Sequence, residues 1–145
     1  MSATDADVAV VRRAFEDFEV RPDRIEGYFA RFWHADAVIE SPDGFPVPGS
    51  YRGLEGYRRW FEDTYGPYDD VRRQLHSLTA EGDCVVMLLT ITGRPREDDV
   101  ELELNVGSTY EIEDGRIRRM CVYVGHEHAL RAARATGRTG ASGSR

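Results

Sequence analysis

The first part of the chain places its apolar residues at helical spacing. They recur every three or four positions over residues 5–20, which predicts an amphipathic helix because residues so spaced share one helical face. Thr4 and Asp7 stand at capping-box spacing ahead of this run. The predicted apolar face comprises Val8, Val11, Phe15 and Phe18.

Two more helices are predicted from the same spacing. The second opens at Asp23 and the third follows Tyr51. Between them, Ala37 to Ser41 predicts a short strand, and the proline- and glycine-rich residues 42–50 predict a loop. The residues spaced for burial are Ile25, Tyr28, Phe29, Phe32 and Trp33 in the second helix and Leu54, Tyr57, Trp60, Phe61 and Thr64 in the third.

From Val71 onwards the apolar period becomes two, as in strands. A final helix is predicted over 126–135, and the Gly-, Ser- and Thr-rich residues 137–145 are predicted to be a disordered tail. Helices followed by a run of strands predict one α+β domain over 1–136, with helices on one face of a mostly antiparallel sheet. The four predicted strands cover residues 71–79, 84–94, 98–113 and 116–124.

The Asp-Gly turn at 114–115 predicts the pairing of the last two strands residue by residue. In this register Ile112 faces Ile117 and Glu111 faces Arg118, so apolar residues and opposite charges meet. One face then carries Asn105, Gly107, Thr109, Met120, Val122 and Val124, and it is predicted to line a cavity. The other face, which includes Leu104, Val106, Tyr110, Cys121 and Tyr123, is apolar enough to predict a sheet-to-sheet homodimer.

Composition and charge exclude several classes of partner. The chain has 145 residues and a formal net charge of −7, and an acidic protein repels nucleic-acid phosphates. Its apolar runs are shorter than the roughly 18 residues of a membrane span. Cys84 and Cys121 lie within apolar strands and predict buried free thiols in a reducing cytoplasm. No phosphate-binding glycine-rich loop is present, and no cofactor is predicted.

Four residues are candidates for catalytic acid or base chemistry. His34 ends the aromatic second helix and His76 lies in a strand, and histidine titrates near neutral pH. Glu40 and Ser41 are neighbours on the first strand and therefore face opposite sides of it. A buried Glu40 would act as a general base. For each residue a structural role, such as a capped helix end or a solvent-facing carboxylate, is the competing interpretation.

Other polar and aromatic residues are candidates for binding a ligand rather than for transferring a proton. The segment His126-Glu127-His128 is interpreted as a solvated first helical turn, and no metal site is predicted, because residues two apart on a helix point in different directions. Aromatic residues of the helices have core packing as their alternative interpretation. The predicted ligand-binding residues are Tyr28, Tyr57, Trp60, Asn105, Thr109, Met120 and Val122.

Several segments, in order and spacing, resemble the SnoaL-like branch of the nuclear transport factor 2-like superfamily. The similar segments are Tyr51-Arg52-Gly53-Leu54-Glu55-Gly56, Glu81-Gly82-Asp83 with Val85-Val86, Asp114-Gly115-Arg116-Ile117, and Tyr123 followed by Ala129-Leu130-Arg131-Ala132-Ala133. The resemblance covers roughly residues 5–135. It implies a cone-shaped α+β barrel, in which a strongly bent, mostly antiparallel sheet wraps around three N-terminal helices and a short C-terminal helix follows. It also implies an internal pocket and, in many members, a homodimer.

The catalytic groups of well-known members are missing from the matching positions. The three positions that correspond to ketosteroid isomerase carry Phe15, Ser41 and Gly107, which argues against a steroid isomerase. Gly125 stands where many relatives place an Asp before the last helix. No Arg-x-Asp of the epoxide hydrolase type occurs inside a strand. The resemblance therefore implies the fold more firmly than any one reaction.

Two hypotheses of function follow. The first is a cofactor-independent enzyme that cyclises, isomerises, dehydrates or opens an epoxide in a small, largely apolar metabolite. The second is a non-catalytic homodimer that binds a small molecule. A titratable, hydrogen-bonded side chain inside the cavity would favour the first, and a cavity lined only by apolar, Asn and Thr side chains would favour the second.

Overall fold

A computed structural model of the protein describes residues 2–45 and 49–143, with side chains described as far as residue 136. The helices are α1 (Asp5–Asp17), α2 (Ile25–Phe32), α3 (Gly53–Tyr65) and α4 (His126–Gly143), and a single 3-10 turn (Pro22–Arg24) precedes α2. The strands are β1 (Trp33–Glu40), β2 (Ser50–Arg52), β3 (Tyr68–Glu81), β4 (Cys84–Pro95), β5 (Leu102–Glu113) and β6 (Arg116–Val124).

The predicted elements are present, with differences at their ends. Thr4 and Asp7 form the expected capping box at the start of α1. Trp33 and His34 belong to β1 rather than to the second helix, because the backbone becomes extended at Trp33 and pairs with β6. The short edge strand β2 was not predicted. The backbone of α4 continues to Gly143. The side chains of residues 137–145 lie outside the described residues, so the predicted disorder of this tail stays a prediction.

The six strands form one open, strongly bent sheet in the order β2-β1-β6-β5-β4-β3. Neighbouring strands are antiparallel except β1 and β6, which are parallel. Within the described residues the edge strands β2 and β3 do not pair, so the cone is not a closed barrel. The predicted α+β fold is thereby confirmed. No helix in this part of the chain combines the length and apolarity needed to cross a membrane.

Helices cover both faces of the sheet, and each face has its own core. We call the face packed against α1, α2 and α3 the inner face and the face packed against α4 the outer face. The inner face carries Val85, Met87, Leu89, Val106, Tyr110, Met120 and Val122, which join the aromatic residues of the helices in the main core. The smaller outer core contains Cys84, Val86, Ala129 and Ala133.

A β-bulge at Arg118 corrects the predicted register of the last hairpin. The pairs next to the turn, including Ile112 with Ile117, are as predicted. Beyond them the register shifts by one residue, so that Tyr110 pairs with Met120 instead of Arg119. The shift lets both of these apolar side chains face the helices, which a regular hairpin would have prevented. The predicted contact between Glu111 and Arg118 still forms, at 3.0 Å.

The corrected register changes both predicted faces. The outer face of β5 carries Asn105, Gly107 and Thr109. Met120 and Val122 of β6 lie on the opposite, inner face of the sheet. The face proposed for dimerisation is likewise divided. Its members Leu104, Val106 and Tyr110 pack into the main core, whereas Tyr123 packs against the outer core. The apolar surface that predicted a sheet-to-sheet homodimer is therefore already covered in part by this chain's own helices.

Gly107 sets how closely α4 approaches the sheet. A Cβ atom at this position would collide with the Cβ of Ala129 and approach Leu88 to 3.3 Å. We expect Gly107→Ala to lower the free energy of unfolding by about 1–3 kcal/mol, because overpacking forces the helix to move. Denaturant unfolding measures the change.

Gly27→Ala is the matched control for this substitution. A Cβ at Gly27 would meet nothing within 4 Å, and alanine favours the interior of α2. We expect this variant to be at least as stable as the wild type. Equal stability of the two variants would contradict the close packing of α4 on β5.

Candidate functional site

Three cavities follow one another along the inside of the cone. The outermost, which we call the mouth cavity, has a volume of about 210 Å³. The inner and deep cavities are much smaller, at about 30 and 20 Å³, each close to the volume of one water molecule. The mouth cavity is lined by Phe45, Thr64, Tyr65, Tyr68, Val71, Ile91, Thr92, Gly93, Leu102, Glu103 and Leu104.

Arg73 stands between the inner and deep cavities and lines both. Strand alternation puts it on the inner face, because Val71 and Leu75 on either side of it pack against the main core. Its guanidinium carbon lies 4.2 Å from the ring centroid of Phe18 and 4.8 Å from that of Phe15. Arg73 is partly buried, and these cation–π contacts stabilise its charge.

Three buried tyrosines and the partly buried Tyr28 lie close enough to Arg73 to feel its charge. Burial raises the pKa of Tyr28, Tyr57 and Tyr65 above the usual value, and it raises the pKa of Tyr110 to about 12. The positive charge of Arg73 opposes the shift at each of them. These hydroxyls are therefore protonated at neutral pH, so they can donate hydrogen bonds but cannot act as bases.

Three polar atoms on the wall of the inner cavity are buried without a hydrogen-bond partner. They are Nε of Arg73, Nε1 of Trp60 and Oγ1 of Thr64. Two of them are N–H donors and the third is a hydroxyl that can donate. Buried donors are nearly always satisfied, and an unsatisfied one costs about 1–3 kcal/mol. The wall is thus chemically suited to receive an oxygen acceptor.

Negative charge is scarce around the cavities. Glu103 is the one carboxylate among the described residues that line the three cavities, and it lies at the exposed rim of the mouth. Among the described residues no carboxylate forms an ion pair with Arg73. Its guanidinium lies against the aromatic rings of Phe15 and Phe18 instead. The arrangement favours a ligand with a polarised or negatively charged oxygen atom.

A second polar cluster lies on the outer face, beyond the sheet. His76 Nε2 lies 2.6 Å from Thr90 Oγ1, which donates to Asn105 Oδ1 at 2.7 Å. His126, at the start of α4, lies with its Nε2 2.7 Å from the carbonyl oxygen of Leu89. The two imidazole centroids are 5.4 Å apart. This cluster does not open into the cone.

A sequence profile described as SnoaL-like domain matches residues 11–120, about three quarters of the chain. The chain belongs to the SnoaL-like domain family. A comparison with curated proteins finds no relative. The family resemblance predicted from the ordered segments is thereby confirmed.

Solved structures with the same fold come from several SnoaL-like and related proteins. An NTF2-like protein of unknown function from Burkholderia pseudomallei is 17% identical, with 88% of this chain and 97% of that chain covered and a TM-score of 0.69. A protein named as a SnoaL-like polyketide cyclase, from Jannaschia sp. CCS1, is 14% identical over 93% and 98% of the chains, with a TM-score of 0.69. TerC, co-crystallised with polyporic acid, is 18% identical over 90% and 99%, with a TM-score of 0.67. At these identities the likeness shows the fold alone.

None of the four predicted catalytic residues of this SnoaL-like protein lines a described cavity. His34 Nε2 lies 2.6 Å from the carbonyl oxygen of Glu113, at the end of the hairpin. Glu40 forms an ion pair with Arg119 at 2.5 Å. Ser41 is buried, with its hydroxyl unpartnered. His76 belongs to the outer cluster. Their proposed catalytic roles therefore lack a shared site.

The predicted ligand-binding residues are divided between the two faces. Trp60, Met120 and Val122 line the inner cavity, and Trp60 and Met120 also line the deep cavity, together with Tyr28 and Tyr57. The hydroxyl of Tyr28 donates to the carbonyl oxygen of Ala14 at 2.9 Å. Asn105 and Thr109 lie on the outer face because they alternate with the inward Val106 and Tyr110 along β5, so the cavity is built without them.

The sequence interpretation missed Arg73, Tyr65 and Tyr110 as residues of the site. A signal for Arg73 was present, since it stands at an inward position of an alternating strand, between Val71 and Leu75. An arginine at such a position is rarely buried without a specific reason. That Tyr110 shares its face with Met120 could not be found in the same way, because the direction of Met120 depends on the bulge at Arg118.

The buried tyrosines predict a loss of stability at alkaline pH. Their pKa values are raised in the folded state above the unfolded value of about 10. Folding therefore favours the protonated form, which contributes its full stabilisation below pH 10 and loses it as the pH rises. Each such residue can lower the free energy of unfolding by up to about 1.4 kcal/mol per pH unit in that range.

Denaturant unfolding between about pH 8 and about pH 11, together with phenolate absorbance, measures this dependence. Tyr110→Phe should reduce the alkaline slope, because it removes one of the contributing hydroxyls. A slope that is the same in this variant and in the wild type would contradict the prediction, as would phenolate absorbance from all seven tyrosines before unfolding.

Proposed function

We propose that this SnoaL-like protein binds a small, largely apolar molecule in the mouth cavity and holds one of its oxygen atoms at Arg73. The observation that carries the proposal is the group of unpartnered buried donors on Arg73, Trp60 and Thr64. A carbonyl, phenolate or carboxylate oxygen that enters the inner cavity would accept hydrogen bonds from them.

The shape and lining of the cavities support the same class of ligand. The mouth cavity and the inner cavity share Phe45, Thr64, Tyr65 and Ile91 as walls, so a ligand body in the first can direct a polar end towards the second. The mouth is bounded mainly by aromatic and aliphatic side chains. Its volume of about 210 Å³ favours a compact, flat molecule.

Naphthalene derivatives of matched size provide a direct test. We expect 2-naphthoate to bind more tightly than naphthalene, and Arg73→Met to weaken 2-naphthoate binding by about tenfold or more, because a hydrogen bond to a charged group contributes about 1.5–3 kcal/mol. Fluorescence or calorimetric titration measures both constants.

Arg72→Met is the matched control, since Arg72 is the exposed neighbour on the same strand. It removes the same charge from the chain without changing the cavity wall. Equal weakening by both substitutions would show a general charge effect and contradict a role for Arg73. Unfolding curves of the variants separate lost binding from lost structure.

A second candidate function is that of a cofactor-independent enzyme of the isomerase, cyclase, dehydratase or epoxide hydrolase type. The presence of Arg73 and Tyr65 on the wall of the inner cavity favours it, because two donors there would stabilise the negative charge that develops on oxygen during enolisation or ring opening. The absence of a carboxylate from the described walls of the inner and deep cavities means that a proton would have to be removed by water or by the ligand itself.

Exchange of the α-protons of 2-tetralone in heavy water, followed by NMR, tests this candidate. We expect the wild-type protein to accelerate exchange over buffer, and Arg73→Met and Tyr65→Phe each to slow it by about tenfold or more, the size expected for loss of an oxyanion donor. Tyr123→Phe, on the outer face of the sheet and away from the three cavities, is the control. If 2-tetralone binds but its protons do not exchange faster than in buffer, the result supports the binding function and contradicts the enzymatic one.

Homodimerisation and a cytoplasmic location are proposed on separate grounds. The dimer rests on the family resemblance, because the apolar face that first predicted it is shared between two cores. Sedimentation velocity of the purified protein measures its mass. The location rests on Cys84 and Cys121, which are both free thiols, as expected in a reducing compartment.

A further inference from the structure

We propose that His76 and His126 together bind a divalent transition-metal ion on the outer face of the sheet. The site lies on the opposite side of the sheet from Arg73, so it does not depend on the function proposed for the cavity. Imidazole nitrogens are favoured ligands of Zn²⁺, Ni²⁺ and Cu²⁺. The sequence interpretation paired His126 with His128, two residues away, whereas the fold pairs it with a histidine 50 positions earlier.

The distance between the two rings fits a shared ion. The imidazole centroids of His76 and His126 are 5.4 Å apart, with the ring planes inclined by 61°. Each Zn–N bond is about 2 Å long, so two imidazoles on one tetrahedral ion have their centroids about 5 Å apart. The side chains therefore need little movement to ligate the same metal.

Hydrogen bonds fix the same tautomer in both rings. The carbonyl oxygen of Leu89 can only accept, so His126 donates its Nε2–H to it. Thr90 gives its single hydroxyl proton to Asn105, so His76 donates its Nε2–H to Thr90. In both neutral rings the lone pair that can bind a metal is then on Nδ1.

The same hydrogen bonds resemble those that known metal-binding histidines make with neighbouring acceptors. Such histidines usually donate their second ring N–H to a carbonyl or another acceptor, which fixes the ring and increases its basicity. Here the two acceptors, Leu89 and Thr90, are consecutive residues of β4. They hold imidazoles from β3 and α4 side by side, and the chain Asn105–Thr90–His76 extends this support across three strands.

Backbone features place both histidines at the site. His76 is the unpaired residue of a β-bulge, between the pairs of Leu75 and Ser77 with β4. Strand alternation points His76 outwards, because its neighbour Leu75 packs against the main core, and the bulge leaves His76 outside the pairing with β4. Gly125, with a φ of 90°, turns the chain from β6 into α4, and its N–H donates to the carbonyl oxygen of Asn105 at 2.8 Å.

The coordination shell would include solvent. Among the described residues, no three His, Cys, Asp or Glu side chains come close enough to hold one ion, so two histidines supply the protein ligands and water supplies the rest. A site with open positions binds more weakly than a closed four-ligand site, and it leaves room for a further ligand on the metal.

Calorimetric titration of the full-length protein, free of any histidine tag, tests the proposal. We expect Zn²⁺ and Ni²⁺ to bind with one ion per chain and Mg²⁺ to show no binding, since Mg²⁺ prefers oxygen ligands. His76→Gln and His126→Gln should each lower the affinity by at least about tenfold, because each removes one of two protein ligands. Unfolding curves without metal check that both variants fold.

His34→Gln and His128→Gln are the matched controls. His34 lies at the hairpin end and His128 contacts Asp43 at 3.2 Å, so both variants should bind as the wild type does. Nitrogen-15 NMR of the imidazoles gives a second readout. We expect His76 and His126 as Nε2–H tautomers in metal-free protein, with Zn²⁺ shifting the Nδ1 resonances of both. Three results would each overturn the proposal. They are metal binding that is unchanged in both His76→Gln and His126→Gln, metal binding that is lost in either control, and no metal binding by the wild type.

Discussion

The sheet can bend around three helices because β-bulges interrupt its regular pairing, and the rest of the molecule depends on that bend. The bulge at Arg118 shifts β6 by one residue against β5, which turns Tyr110 and Met120 towards the same core. The bulge at His76 acts similarly on β3, where the extra residue lets both Leu75 and Leu78 pack against the main core. Each shift costs a backbone pairing and exchanges the faces of the residues beyond it.

Inside the bend, a single cation is held by aromatic rings. Arg73 lies over Phe15 and Phe18 of the first helical region, and four tyrosines share its electrostatic field. Burial alone would make a guanidinium expensive, and cation–π contacts offset part of that cost. The remaining unpartnered donors give the cavity a chemical preference, for oxygen acceptors, that an all-apolar cavity would lack.

The two faces of one sheet thus present different chemistry. The inner face offers hydrogen-bond donors at the end of an apolar cavity, and the outer face offers two imidazoles with fixed tautomers. The separation follows from strand alternation, since Arg73 and Leu75 point inwards whereas Thr90 and Asn105 point outwards.

The sequence by itself determined the kinds and order of the elements and the family. Apolar periods of 3.6 and 2 reflect which side of each element is buried, and they are local properties. The capping box at Thr4 and the pairs beside the Asp114-Gly115 turn are local as well, and both were predicted correctly. Tertiary structure alone decided which residues meet. The bulge at Arg118 is favoured only once Tyr110 and Met120 both have a core to enter, and the partners of His76 and His126 come from β4 and β5. Such contacts join residues far apart in the chain, so no local pattern contains them.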